Sequence, residues 1–270
     1  MYIGIQELKE IASIMEGRLH VDFQDYNQPF LHRRVAYMFD KMGFRRIQDL
    51  KDAMASLVTA DEVSYYMSVP STELFRDAPF WRQLRQTIAD HRPRTYWLPC
   101  LTSYHELFSL LILLDREGAK GSTVEANVLS DHIARDIRTM RLSLKEESTD
   151  RQNFERLQAG FTYDDYVTRV DGAAFLKDGM LRSVQITNGW LLNAPPRKYD
   201  VVIFRNMLLG YGRSLHKTVV TRLADSLADT DALLCVGVGE QLLVENRAFD
   251  DSRIAEGIYR LKKTKEVRDE

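Results

Sequence analysis

Apolar positions recur at helical spacing through the first third of the chain. Leu8, Ile11, Ala12 and Met15 form one stripe, and Gly17 is expected to stop it. Leu31, Val35, Met38 and Met42 form a second stripe, ending at Gly43. Ile47, Leu50, Met54 and Leu57 make a third. Asp61 opens a fourth segment through Val63, Tyr66 and Met67, which Pro70 closes. These stripes predict a small all-α N-terminal domain over residues 1–82.

After about Arg92 the pattern changes to short apolar runs alternating with helical stretches. Arg94 to Leu98 is a strand candidate, followed by a helix from His105 to about Glu117 that is apolar around most of its circumference. Asn127 to Ser130 is a second strand with Asp131 at its end, and Ile133, Ile137, Met140 and Leu144 predict the next helix. Lys145 to Gln152 reads as a solvated charged segment. Phe161 to Val170 and Met180 to Ile186 read as strands around the Asp171-Gly172 turn region. Val201 to Phe204 is a buried strand, Leu215 to Ala228 a helix, Ala232 to Val238 another strand, and Gly257 to Leu261 an edge strand. Such alternation implies an α/β fold with a mainly parallel sheet over residues 83–270.

Bulk composition narrows the function without naming it. The 270 residues carry a net charge of −2, so no global field points to nucleic acid or an anionic membrane. No run approaches the ~18 apolar residues of a membrane span. The mixed, polar Met1–Glu10 does not read as a signal peptide, and a cytoplasmic protein is expected. Two cysteines give no disulfide framework, and six histidines show no metal-ligand spacing.

Six segments carry a more specific signal. They are Asp22-Phe23 through Arg33-Arg34; Thr72-Glu73-Leu74-Phe75-Arg76-Asp77; Trp97 followed by Glu106-Leu107-Phe108-Ser109; Leu129-Ser130-Asp131; Asp200 through Asn206; and Gly237-Val238-Gly239-Glu240. In this order and spacing they resemble the CheR family, which methylates glutamates on bacterial chemoreceptors. The resemblance implies a Rossmann-like S-adenosylmethionine (SAM) methyltransferase sheet, with the cofactor across the carboxyl ends of its strands, and a small β-subdomain inserted at about 160–187. It implies Thr72, Arg76, Asp131, Arg205 and Asn206 as cofactor-binding residues, Arg76 approaching the methionine carboxylate and Asp131 the ribose. Arg76 and Arg205 are the residues expected at the reaction centre. It implies as partner the acidic helical region of a receptor or signalling protein, met by basic residues such as Arg33 and Arg34.

The chain departs from that family where the cofactor should lie. The family's glycine-rich loop falls on Pro99 to His105, its two glycines on Cys100 and Tyr104, and its first glutamate on His105. Glycine supplies positive φ or room for a ligand, and tyrosine supplies neither. A phenol ring in the pocket would cost ~1–3 kcal/mol by overpacking. A family tyrosine falls on Gly210, and a family asparagine near Trp190. The expectation is a CheR-like protein whose binding of SAM or S-adenosylhomocysteine is weakened or lost, acting as a binding or regulatory protein. The alternative is an active SAM-dependent carboxyl O-methyltransferase with a remodelled loop.

Each residue also has a plainer reading. Asp131 is a ribose acid or a helix N-cap. Arg76 binds a carboxylate or pairs with Asp77 or another surface acid. Arg205 and Asn206 belong to a site or tie the sheet to the N-terminal helices. Arg33, Arg34, Arg45 and Arg46 contact a partner or form a solvated face. His105 needs a catalytic partner that the sequence does not name, and Cys100 reads as a buried thiol.

Overall fold

A computed structural model describes residues 3–119, 121–229, 231–242, 249, 253–255 and 257–261. The N-terminal stripes become helices α1 (Ile5–Leu19), α2 (Gln28–Met42), α3 (Ile47–Ala55) and α4 (Leu57–Met67). Gly17 lies inside α1, which ends instead at His20 in a left-handed conformation. The helix cost of one glycine, ~1 kcal/mol, is outweighed by the burial of Leu8, Ile11 and Met15 on one face. Gly43 does terminate α2, at φ 70°, and Asn27 caps its start.

Helix α5 (Ala78–His91) crosses residue 82 and buries Phe80, Trp81, Leu84 and Ile88. Those residues join the core beneath the sheet, so α5 packs with the α/β part of the chain. The sheet is formed by β1 (Thr95–Leu101), β2 (Thr123–Val128) and later strands, with α6 (His105–Arg116) and α7 (Asp131–Thr139) between them. Next come β3 (Arg141–Leu142), α8 (Glu147–Leu157), β4 (Val167–Val170), β5 (Ala173–Leu176), β6 (Val184–Asn188) and β7 (Val201–Ile203). The described chain ends with α9 (Arg213–Ala224), β8 (Leu233–Cys235), β9 (Arg253–Ala255) and β10 (Ile258–Arg260).

The large sheet runs β6-β2-β1-β7-β8-β10-β9, parallel from β6 to β8 and antiparallel in its last two strands. This is the α/β fold expected, preceded by helices. The two faces bury alternate residues of each strand: Tyr96 and Leu98 pack with α5, α6 and α7, while Trp97 packs with α9 and the N-terminal helices.

Further local expectations differ from the structure: Asp61 lies inside α4 instead of opening it, and Met140 and Leu144 lie beyond the end of α7. The smaller sheet, β3-β5-β4, draws on residues 141–176, and β6 leaves it to pair in parallel with β2. β10 is not an edge strand, because β9 pairs outside it. Lys145 to Gln152 runs into α8, whose Asp150, Asn153, Phe154 and Leu157 are buried. Its exposed face carries the charge that suggests a loop, while Asp150 and Asn153 are held by Leu74: the Leu74 N–H donates to Asp150 (2.7 Å), and Asn153 donates to the Leu74 carbonyl (2.9 Å).

Candidate functional site

The carboxyl ends of β1, β2, β6 and β7 meet where open α/β sheets place ligands. The last residues of β1 bend before the loop that leads into α6. Pro99 lies at a break in the register between β1 and β2, and Cys100 takes φ 62°. That conformation costs a residue with a Cβ ~1–2 kcal/mol. The Cys100 side chain points into packed protein and is 4 % exposed. Burial pushes its thiol up to about 12, opposed by a hydrogen bond from the Leu191 backbone N–H.

Aromatic side chains pack against one face of this end of the sheet. Trp190 is buried and donates its indole N–H to Asp22 at 3.0 Å. Tyr211 lies edge-on to Trp190 (6.0 Å) and to Tyr26 (5.1 Å), and stacks against Phe204 (6.2 Å). Burial, with the neighbouring Cys100 and Tyr26, raises the Tyr211 phenol well above its ordinary value. The N-terminal segment is seated directly on the loop after β7. The Asn27 N–H donates to the Gly210 carbonyl (2.9 Å), and the Gly212 N–H to the Asp25 carbonyl (2.7 Å). A Cβ on Gly210 would come within 3.0 Å of the Phe30 ring, and one on Gly212 within 2.6 Å of the Asp25 carbonyl oxygen. Phe30 thus takes the space beside Gly210, where the sequence resemblance expects a tyrosine.

Tyr104 behaves differently from the expectation that it crowds the pocket. Its ring lies back along α6, stacked on His105 (4.0 Å) and Phe108 (5.0 Å), and its hydroxyl accepts the Ser143 N–H at 2.9 Å. It belongs to the opposite core from Cys100. The residues that pack with Cys100 on the other face are Trp190, Tyr211 and Tyr26.

The expected site residues fall in separate places. Arg205 has no exposed side-chain surface; it pairs with Asp77 (2.5 Å) and Glu106 (3.3 Å) and lies 4.1 Å over the Phe80 ring. Burial pushes the Glu106 carboxyl up to about 7, against the pull of Arg205. Asn206 takes φ 60°, and its N–H donates to Glu240 (2.8 Å). Glu240 also accepts from Leu208 (2.6 Å) and Gly237 (2.6 Å), so this acid holds two loops together. Arg205 ties β7 to α5 and α6, and Asn206 and Glu240 fix the neighbouring loops. Arg76 is 44 % exposed and lines a separate cleft of about 450 Å³ with Glu73, Arg82 and Arg156.

Asp131 opens α7 but does not cap it. Ser130 and Asp61, the latter from α4, accept the His132 N–H (3.1 and 3.2 Å), and Asp61 also takes the Asp131 N–H (2.6 Å). The exposed Asp131 carboxylate accepts from Asn188 at 3.0 Å. Thr72 lines a cleft of about 230 Å³ with Ser103, Tyr104, His105 and Glu146. Sequence reasoning missed Glu146, and gave Asp22 and Asp61 no role at the site. The partners of Asp22, Asp61 and Glu146 lie 168, 71 and 41 residues away, and no local pattern reports those contacts.

The parallel sheet, its flanking helices and its retained end-of-strand residues define the class of SAM-dependent methyltransferase folds. Residues 70–258 match the family described as CheR methyltransferase, SAM binding domain, and the chain belongs to that family. It is 23% identical over 278 aligned positions to the chemotaxis protein methyltransferase of Vibrio anguillarum, covering 96% of this chain and 98% of that protein. The same figures hold for the chemotaxis protein methyltransferase of Vibrio parahaemolyticus serotype O3:K6 (strain RIMD 2210633). Among solved structures it aligns with N,N-8-amino-8-demethyl-D-riboflavin dimethyltransferase from Streptomyces davawensis at a TM-score of 0.38 and 13% identity. That alignment covers 86% of this chain and 52% of the other.

SAM is the cofactor the family implies, and Thr72, one of the residues expected to bind it, lines the cleft of about 230 Å³ with Ser103 and His105. A thiol stands where the resemblance expects glycine, an indole near where it expects an amide, and the Arg205 guanidinium is engaged by two acids. No helix among the described residues is long and apolar enough to cross a membrane, and none of their His, Cys, Asp and Glu side chains group to hold a metal.

Proposed function

We propose that this CheR-family protein no longer binds SAM usefully and acts by holding a protein partner in chemotaxis-type signalling. The observation that supports this reading is the buried set Cys100, Trp190, Tyr211 and Tyr26, which packs one face of the sheet at the carboxyl end of β1, where the resemblance expects a glycine and an amide. The partner surface is the exposed face of α2 around Arg33, with Arg45 and Arg46 beyond the helix. Arg34 is not part of it. Its guanidinium donates to the carbonyls of Tyr66, Met67 and Ser68, joining α2 to the end of α4. The complementary partner is an acidic helical segment, recognised by charge at a solvated surface.

A labelled acidic helical peptide titrated with the protein tests this. Arg33→Glu weakens binding ~5- to 10-fold, about the 1–1.4 kcal/mol of one reversed surface charge, and added SAM changes nothing. Equal binding by wild type and variant would remove the surface from the proposal. The second reading, an active carboxyl O-methyltransferase with a remodelled loop, is favoured by Tyr104, whose ring turns back along α6. Against it stand the aromatic side chains that fill the neighbouring space.

A further inference from the structure

The loop that departs from the family brings together a serine, a histidine and a glutamate. β1 ends at Leu101 and α6 begins at His105, so Ser103 sits in a tight strand-to-helix turn at the end of a central parallel strand. Its Oγ lies 3.0 Å from Nδ1 of His105 and 3.3 Å from the Ser71 carbonyl, to which the hydroxyl can also donate, and Nε2 of the same ring lies 3.3 Å from Oε2 of Glu146. The imidazole is 4 % exposed, which fixes its orientation, while Ser103 is only half-buried. With the proton on Nε2 the ring donates to Glu146 and leaves the Nδ1 lone pair facing the serine hydroxyl. The two nitrogens exchange the places they hold in serine proteases, but nucleophile, base and orienting acid keep their roles. A serine between a strand and a helix is also where α/β hydrolases present their nucleophile.

The surroundings suit an acyl substrate. Ser103 opens into the cleft of about 230 Å³, with Tyr37, Tyr65 and Tyr66 on its walls. The first-turn N–H groups of α6 carry no side-chain cap and stand next to Ser103, where a developing oxyanion needs donors. Asp136 and Glu146 line the cleft, and none of its described lining residues is lysine or arginine.

We propose that Ser103, His105 and Glu146 form a hydrolytic site for small carboxylic esters that are neutral or cationic. Ser103 Oγ attacks the ester carbonyl carbon as its proton passes to Nδ1 of His105. The carbon–oxygen bond to the alcohol breaks, and the leaving oxygen takes that proton. Water then adds to the acyl-serine, gives a proton to Nδ1 and releases the carboxylic acid, and the proton returns to Ser103. Glu146 does not touch substrate; it is a positioning residue that orients the ring and offsets its transient charge.

The test uses the full chain with an uncharged fluorophosphonate and with p-nitrophenyl acetate. Expected are a one-to-one adduct mapped by mass spectrometry to Ser103, and ester turnover with an initial burst. Ser103→Ala, which deletes one oxygen from a half-exposed site, loses the adduct and at least ~100-fold of the turnover. Glu146→Gln lowers kcat ~10- to 100-fold at nearly unchanged KM and shifts the pH profile, which a merely structural role would not do. p-Nitrophenyl hemisuccinate, an anion, is the poorer substrate. An adduct absent from Ser103, or turnover unchanged in Ser103→Ala, overturns the proposal. SAM binding measured on the same protein would overturn the function proposed above and leave this site standing if Ser103 is labelled.

Discussion

Replacing Asp150 with asparagine should stabilise the protein at neutral and alkaline pH. Asp150 is 1 % exposed on α8 and accepts the Leu74 N–H at 2.7 Å. Burial pushes its carboxyl up to about 7 from an ordinary 3.8; the Leu74 hydrogen bond opposes this, and the nearby Glu146, Glu73 and Glu147 add to it. Because the folded value lies above the unfolded one, folding favours the protonated form. The stability from this group is complete below pH ~4, drains as pH rises towards about 7 and is gone by pH 8. At ~1.4 kcal/mol for each tenfold step in acidity, the ceiling is about 4 kcal/mol. Relaxation around a buried charge trims this to about 1–3 kcal/mol. Asparagine keeps the Leu74 hydrogen bond and removes the charge. Urea denaturation of both proteins at pH 5 and pH 8 should show the advantage of Asp150→Asn growing by about 1–2 kcal/mol at the higher pH. A variant equally affected at both values, or less stable at pH 8, would refute the reasoning.

Other consequences follow from the same contacts. Arg205→Ala leaves Asp77 and Glu106 facing one another without their cation, and should cost about 3–5 kcal/mol in denaturant melts; a loss below about 1 kcal/mol would mean that the two acids find water. Gly212→Ala puts a methyl 2.6 Å from the Asp25 carbonyl, and should cost more than Gly210→Ala, whose Cβ meets only the Phe30 ring edge. Cys100 and Cys235 are both buried with thiols pushed up to about 12. Neither should react with a disulfide reagent at pH 8 until the protein unfolds, and fast labelling of either in native protein would contradict the burial.

The sequence made the order of elements readable because strand and helix periods differ so clearly across residues 94–238. It hid elements whose apolar residues are sparse or whose neighbours are distant. In α8 the polar Asp150 and Asn153 face inward, since Leu74 supplies their partners, so the segment looks solvated throughout. Gly17 looked like a stop because helix ends are decided by packing as well as by propensity. At the site, the absent glycines were plain at positions 100 and 104, but the consequence fell on different residues. Cys100 takes a left-handed conformation, Tyr104 turns back along α6, and Trp190, Tyr211 and Tyr26, which converge from three parts of the chain, pack on the face of Cys100. Such convergence depends on how the N-terminal segment seats on the loop after β7, and no spacing rule reports it. Arg34 is similar: adjacent arginines look alike in sequence, yet one faces solvent and the other is consumed by three carbonyls.

The proposed loss of useful SAM binding is the centre of this account, and calorimetric titration of the purified protein with SAM and with S-adenosylhomocysteine tests it most directly. The account predicts no heat and no thermal shift up to millimolar ligand. Binding of either compound at micromolar strength, about −8 kcal/mol, would contradict it.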